Sequence, residues 1–273
     1  MNTITHLKRK YRYSTILLRE MVITDFKLRY KGSILGYVWT LLRPLALFAT
    51  LYVVFVYFLR FGSDTPYFPV YLLLGIVLWN YFVEVTANGV SAIVGKGDLL
   101  RKLSFPRYVV VVAGSFSALI NLTINFIVVG IFMVFGGVPF TLELLWLIPI
   151  VLELFVLSLA LAFILSALYV RLRDINYVWE VILQAGFYAT PILYPFTMVM
   201  QISPEAAKFM ILSPMAQIIQ DARAVAITDQ TVTIGKLFGT AFARLIPLAI
   251  VVVIAVVAVI YFRRRSPHFA EEI

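Results

Sequence analysis

The chain has 273 residues, 62% of them hydrophobic and 14% charged, with a mean hydropathy of +0.95. A soluble domain of this length needs a far more charged surface, so soluble globular folding is excluded and most of the chain must face lipid. The absence of cysteine excludes disulfides and thiolate metal sites, and the formal charge of +9 reads as a signal of membrane orientation before it reads as nucleic-acid binding.

Residues 1–36 are polar and basic, with no apolar run of signal-core length and no small-residue cleavage site, and are expected to form a retained cytoplasmic segment. Within them Tyr11 to Tyr30 places Leu18, Met21, Val22 and Phe26 at helical spacing among Arg19, Glu20, Asp25 and Lys27. This pattern predicts an amphipathic helix along the inner membrane surface; a solvated helix packed on another subunit fits the same pattern.

Six apolar runs follow at Tyr37 to Phe61, Tyr67 to Ser91, Tyr108 to Phe135, Leu144 to Val170, Tyr177 to Leu193 and Phe242 to Phe262. Each is close to the ~20 residues that cross hydrocarbon as a helix. None shows the two-residue alternation of a barrel strand. The predicted fold is therefore an all-α integral membrane protein of six transmembrane helices occupying 37–262, with a tail at 263–273. With the amino terminus inside, the inner segments hold 17 of the 23 Lys and Arg residues and the outer segments 5, while Arg43 lies in the first span. That imbalance predicts both termini in the cytoplasm.

Between the second and third spans, the inner loop 94–107 carries Leu99, Leu100 and Leu103 at helical spacing among Asp98, Arg101 and Lys102. Such a segment can dock its leucines in a partner's groove, or be only a basic inner loop. Gly89-Val-Ser-Ala-Ile-Val-Gly95-Lys96 imitates a phosphate-binding loop but has five residues between its glycines, Gly97 in place of Ser or Thr, and a helix before it instead of a strand. No ATP site is expected there. Segment 191–244 opens with Pro191 and Pro195, continues through Pro204 and Pro214, and includes the apolar runs Phe209 to Leu212 and Ala216 to Ile219. Proline breaks the helical ladder, so short re-entrant outer helices are expected before the last span.

Titratable groups in the spans are few: Arg43, Glu84 and Glu153, with Glu180 near an end. Arg43 is near enough to the inner surface to snorkel, whereas Glu84 and Glu153 are open between a structural hydrogen bond and a transport pathway. His6 and His268 sit in the two tails, and no nucleophile motif, metal-ligand set or carboxylate pair at enzymatic spacing is visible. Aromatic rings can stack on sugar faces without demanding one hydrogen-bond pattern. Phe48, Tyr52 and Phe55 recur on one face of the first span, and Trp79, Tyr81, Phe82, Phe187 and Tyr188 are further candidates for a sugar path; packing and interfacial anchoring are the competing roles.

Three stretches together resemble the permease subunits of type two ABC exporters, in the branch that exports lipid-linked polysaccharides such as O-antigen, capsule and teichoic acid. Leu28-Arg-Tyr-Lys-Gly-Ser-Ile-Leu-Gly-Tyr-Val-Trp-Thr-Leu-Leu-Arg-Pro44 resembles the family's signature at the start of the first span. Asp98-Leu-Leu-Arg-Lys-Leu-Ser-Phe-Pro-Arg107 is similar to the coupling segment that contacts the ATPase. Arg173-Asp174-Ile175 with Tyr188-Ala-Thr-Pro-Ile-Leu-Tyr-Pro195 resembles the region of the fifth span, and Ser213-Pro214 stands where the family would have Asn-Pro.

The resemblance implies a homodimer in the cytoplasmic membrane, each copy coupled through Asp98, Leu99, Leu100, Arg101 and Lys102 to a separate cytoplasmic ATPase. ATP and magnesium would sit on that partner, with no cofactor in this chain. It also implies a polymer path between the copies and an outer gate in 191–244. Alternatives are an exporter permease for a drug or lipid, a membrane glycosyltransferase or acyltransferase, and an ion-coupled transporter. The last two lack the residue constellation or paired helix breaks they would need.

Overall fold

The computed structural model describes residues 3–29, 33, 36–58, 65–98 and 106–272, and every regular element among them is helical. Helix α1, Thr3–Arg29, is amphipathic as its periodicity predicts. Ser14 and Met21 are buried and Leu17, Leu18 and Val22 pack on the core, while Ile16, Arg19, Glu20, Lys27 and Leu28 point outward. Helix α2, Trp39–Leu51, contains Pro44 and runs on as π-helical turns over Tyr52–Phe58. Next come α3, Phe68–Ser91, and α4, Tyr108–Gly136. A 3-10 turn at Leu142–Trp146 leads into α5, Leu147–Arg171. Local sequence sets these ends: Pro69 occupies the first turn of α3, and Gly137, at φ 70, supplies the left-handed residue that closes α4.

The fifth predicted span differs from expectation. Helix α6, Ile175–Ala189, has 15 residues and stops where Thr190 turns extended, because the ring of Pro191 disfavours helical geometry at the preceding residue. At 1.5 Å per residue it covers about 22 Å of a hydrocarbon core of roughly 30 Å. Five helical stretches among the described residues are long and apolar enough to cross a bilayer: Trp39–Phe58, Phe68–Ser91, Tyr108–Gly136, Leu142–Arg171 and Ala241–His268.

The prolines that interrupt the long helical pattern of 191–244 also start the short helices expected there. Pro195 caps α7 (Phe196–Ile202), and Pro204 and Pro214 open α8 (Pro204–Ile211) and α9 (Pro214–Ala226), where a missing N–H costs nothing. With α10, Ile234–Phe238, they build a small outer core of Phe196, Ala207, Ile211, Ile234 and Ala243, separate from the main one. Ala216 to Ile219 are buried as an apolar run should be, but Phe209 is 83% exposed. The last span, α11 (Leu245–Arg265), follows a 3-10 turn at Ala241–Arg244. The short α12 (Phe269–Glu272) then folds back so that Phe269 meets Phe262 at 5.5 Å.

Helix α3 is the axis of the bundle: 78% of its most apolar stretch is buried, against 33% or less in the other four. It packs chiefly along α4 and α5. In lipid the drive for this is close packing rather than escape from water, which favours small residues where backbones meet. Gly89 is such a residue, since a Cβ there would lie 2.5 Å from the Cβ of Ala162 on α5.

Candidate functional site: a groove between α3 and α6

Helix α6 leans on α3 where Trp79 covers Gly186, close enough that a Cβ on Gly186 would meet the indole at 2.9 Å. Beside this contact opens a groove of about 460 Å³, floored by Trp79, Asn80 and Val83 and walled by Trp179, Glu180, Gln184, Phe187 and Tyr188. Its rings form a continuous run, with Trp79 at 5.4 Å from Phe82 and 6.1 Å from Phe187, Phe82 at 6.3 Å from Trp179, and Phe187 at 5.4 Å from Tyr188. The Trp179 indole N–H finds no hydrogen-bond partner among the described residues. Along the same wall Asn176, Glu180 and Gln184 recur every fourth residue, all exposed. A fourfold polar recurrence places all three on one helix face, and hydrocarbon is a costly place for that face.

The expected path residues separate in the structure. Trp79, Phe187 and Tyr188 line the groove and Phe82 backs it. Tyr52 is 38% exposed on α2. Phe48 instead packs edge-on against Phe132 of α4 at 5.4 Å, Phe55 packs on the core, and Tyr81 is buried. Glu84 accepts a 2.7 Å hydrogen bond from the Asn121 amide of α4, which fixes one helix against another. Of this ladder only Glu180 stands out in the sequence, as a charge near the end of a span; the signal for Asn176 and Gln184 is the i, i+4, i+8 spacing of polar residues along one helix.

At the end of the bundle next to Pro191, Arg223 of α9 is fully buried, and no carboxylate among the described residues pairs with it. Its guanidinium donates to the carbonyls of Tyr71 (2.9 Å), Pro191 (2.6 Å) and Ile192 (2.8 Å), and lies 3.6 Å over the Tyr71 ring. Gly75 leaves the room, because a Cβ there would overlap the guanidinium. The Tyr71 hydroxyl donates to Gln220 at 3.0 Å. This one side chain ties the turn after α6 to α3 and α9. Nearby, Gln217 donates to Asp221, Asp221 pairs with Arg244 at 2.9 Å, and Glu153 of α5 lies against Gln217. Burial pushes the Asp221 carboxyl above its ordinary range, and Arg244 pulls it back.

At the opposite end of α3 Asp98 is exposed, while Leu99, Leu100, Arg101 and Lys102 lie outside the described residues. Just before it, Lys96 donates to both carboxylate oxygens of Asp25 on α1, at 2.9 and 2.8 Å, with both side chains about 30% exposed.

Comparison with known proteins bears on this whole arrangement. The sequence pattern of the ABC-2 type transporter family matches residues 17–226, from the second half of α1 to the end of α9. The O-antigen export system permease protein RfbA of Myxococcus xanthus is 30% identical over 268 residues, covering 96% of this chain and 97% of that protein. A protein of the same name from Klebsiella pneumoniae is 29% identical over 217 residues, covering 78% of this chain and 82% of that protein. The groove, the buried arginine and the Asp25–Lys96 contact all fall within the matched region, and the chain belongs to the ABC-2 type transporter family.

Proposed function

We propose that this chain is the permease of an ATP-driven exporter that carries lipid-linked O-antigen-type polysaccharide outward across the cytoplasmic membrane. Two copies stand side by side, each bound to a cytoplasmic ATPase subunit that supplies ATP and magnesium. The observation that carries this reading is the α3–α6 groove, where stacked rings and a ladder of amide and carboxylate groups share one wall. Rings accept sugar faces without fixing register, and the ladder exchanges hydrogen bonds with hydroxyls, so a polymer can slide. The names carried by full-length relatives favour the same cargo.

In this reading Trp79, Phe187, Tyr188 and Tyr52 face the polymer, with Phe82, Phe48, Phe55, Tyr81 and Glu84 holding the wall behind them. The segment Asp98, Leu99, Leu100, Arg101 and Lys102 docks on the ATPase, and 191–244 gates the outer side. Both termini are cytoplasmic, with α6 and the turn Thr190 to Pro195 together making the fifth of six crossings.

The test is complementation. Cells deprived of their own permease, given this chain and its ATPase, are expected to regain surface polysaccharide. Tyr188→Ala and Gln184→Leu, both at exposed groove positions, should cut that export by about tenfold while the complex still assembles, as loss of one or two polar or stacking contacts implies. Restored drug efflux without surface polymer would overturn the proposal.

A further inference from the structure

The transport reading leaves the contact between Asp25 and Lys96 unused. Asp25 continues the inward face of α1, falling one turn after Met21 and Val22, whose side chains pack on the core. Lys96 sits in the short 3-10 turn Val94–Lys96, which leaves the inner end of α3. The ammonium meets both oxygens of the carboxylate at 2.8 and 2.9 Å, joining residues 71 positions apart. Asp98 follows two residues later, at the start of the segment assigned above to the ATPase.

These facts place a directional connection between α1, which packs chiefly along α4, and the turn at the inner end of α3. Apolar packing lets a surface helix slide, because dispersion contacts can be exchanged for others of equal worth. A two-oxygen ion pair does not slide without breaking, and its partial burial limits its screening by salt. Helix α3 is also the most buried of the spanning helices, so a displacement delivered at its inner end reaches α4 and α5 through close packing.

We propose that Asp25 and Lys96 are positioning residues for energy coupling, tying α1 to the docking segment so that one stroke of the ATPase moves the interfacial helix and the inner end of α3 together. The proposal rests on the ATPase partnership put forward above. Neither residue touches polymer or nucleotide; the pair sets how much transport each turnover delivers.

The test uses the whole complex in vesicles, reading polymer exported and ATP hydrolysed in the same sample. Asp25→Lys and Lys96→Asp, each alone, should lower polymer exported per ATP by at least about fivefold, the lower range of coupling between linked elements. The exchanged pair Asp25→Lys with Lys96→Asp should recover most of the ratio, as a direct interaction does in a double-mutant cycle. A purely structural contact would lower yield or heat stability and leave the ratio of surviving complexes unchanged, which would overturn the proposal. Failure of the exchanged pair to recover the ratio would also overturn it. A wild-type complex that exports no polymer with ATP would reject the partnership itself, and the pair's role with it. Normal wild-type export with unaffected single variants would reject the pair alone.

Discussion

The two ends of the bundle hold their charges in opposite ways. At one end Arg223 is fully buried and gives its donors to three backbone carbonyls that belong to a turn and to α3. At the other end Lys96 and Asp25 are each about 30% exposed and pair through their side chains. A carbonyl-held arginine cannot let go without stranding a buried cation and several acceptors, whereas a half-wet ion pair adds little to stability yet keeps its two elements in register while it is made. The Arg223 end is locked by burial, and the Lys96 end is held by a direct pair that can travel with the two elements it joins.

Removing the arginine is the largest way to break this contrast. Arg223→Ala leaves the three carbonyls and a cavity behind and is expected to cost about 3–5 kcal/mol, seen as a large fall in the heat stability of the detergent-solubilised protein. Arg223→Lys should rescue little, because one ammonium cannot reproduce the planar fork.

A smaller loss is expected from Gly75→Ala, which drives a methyl into the guanidinium and should cost about 1–3 kcal/mol by the same measurement. Full stability in that variant would show that the arginine has room to shift, which the contrast denies.

Next comes Arg244→Ala, which sharpens the comparison through pH. Burial already raises the Asp221 carboxyl and Arg244 opposes that rise. A carboxyl raised on folding adds most stability below its ordinary value of about 3.9 and loses it as pH climbs through the folded value. Without Arg244 the carboxyl rises further, so the variant should lose about 1 kcal/mol near neutrality and less in acid. Heat stability measured across that range checks the sign; Glu153 faces the same cluster from α5 and should be held constant. The smallest effect belongs to the Lys96 end, where Lys96→Gln should change heat stability by no more than about 1 kcal/mol.

How far the sequence revealed this design depended on what each residue signals locally. The inward face of α1 follows from the spacing of Leu18, Met21 and Val22, and the long spans follow from uninterrupted hydropathy. Proline chemistry was legible: Pro204 and Pro214 delimit the short helices expected in 191–244, while Pro191 ends the fifth predicted span earlier than its hydropathy suggests. Arg223 was illegible, because a count of basic residues treats every outer cation alike, and its partners are carbonyls 31 to 152 residues away. Of the aromatic stripes, Trp79 and Phe187 meet across two helices, whereas Phe48 was drawn into packing by Phe132, a neighbour no periodicity announces.

The brevity of α6 has a consequence for the lipid around it. Its 15 residues fall roughly 8 Å short of a typical hydrocarbon core. In the proposed arrangement the turn Thr190 to Pro195 carries the rest of that crossing, and the bilayer beside its polar backbone compresses or admits headgroups, at fractions of a kcal/mol for each ångström of mismatch. A thicker membrane would press harder on the very wall that carries the ladder of Asn176, Glu180 and Gln184, making acyl-chain length a dial on this permease that no residue substitution is needed to turn.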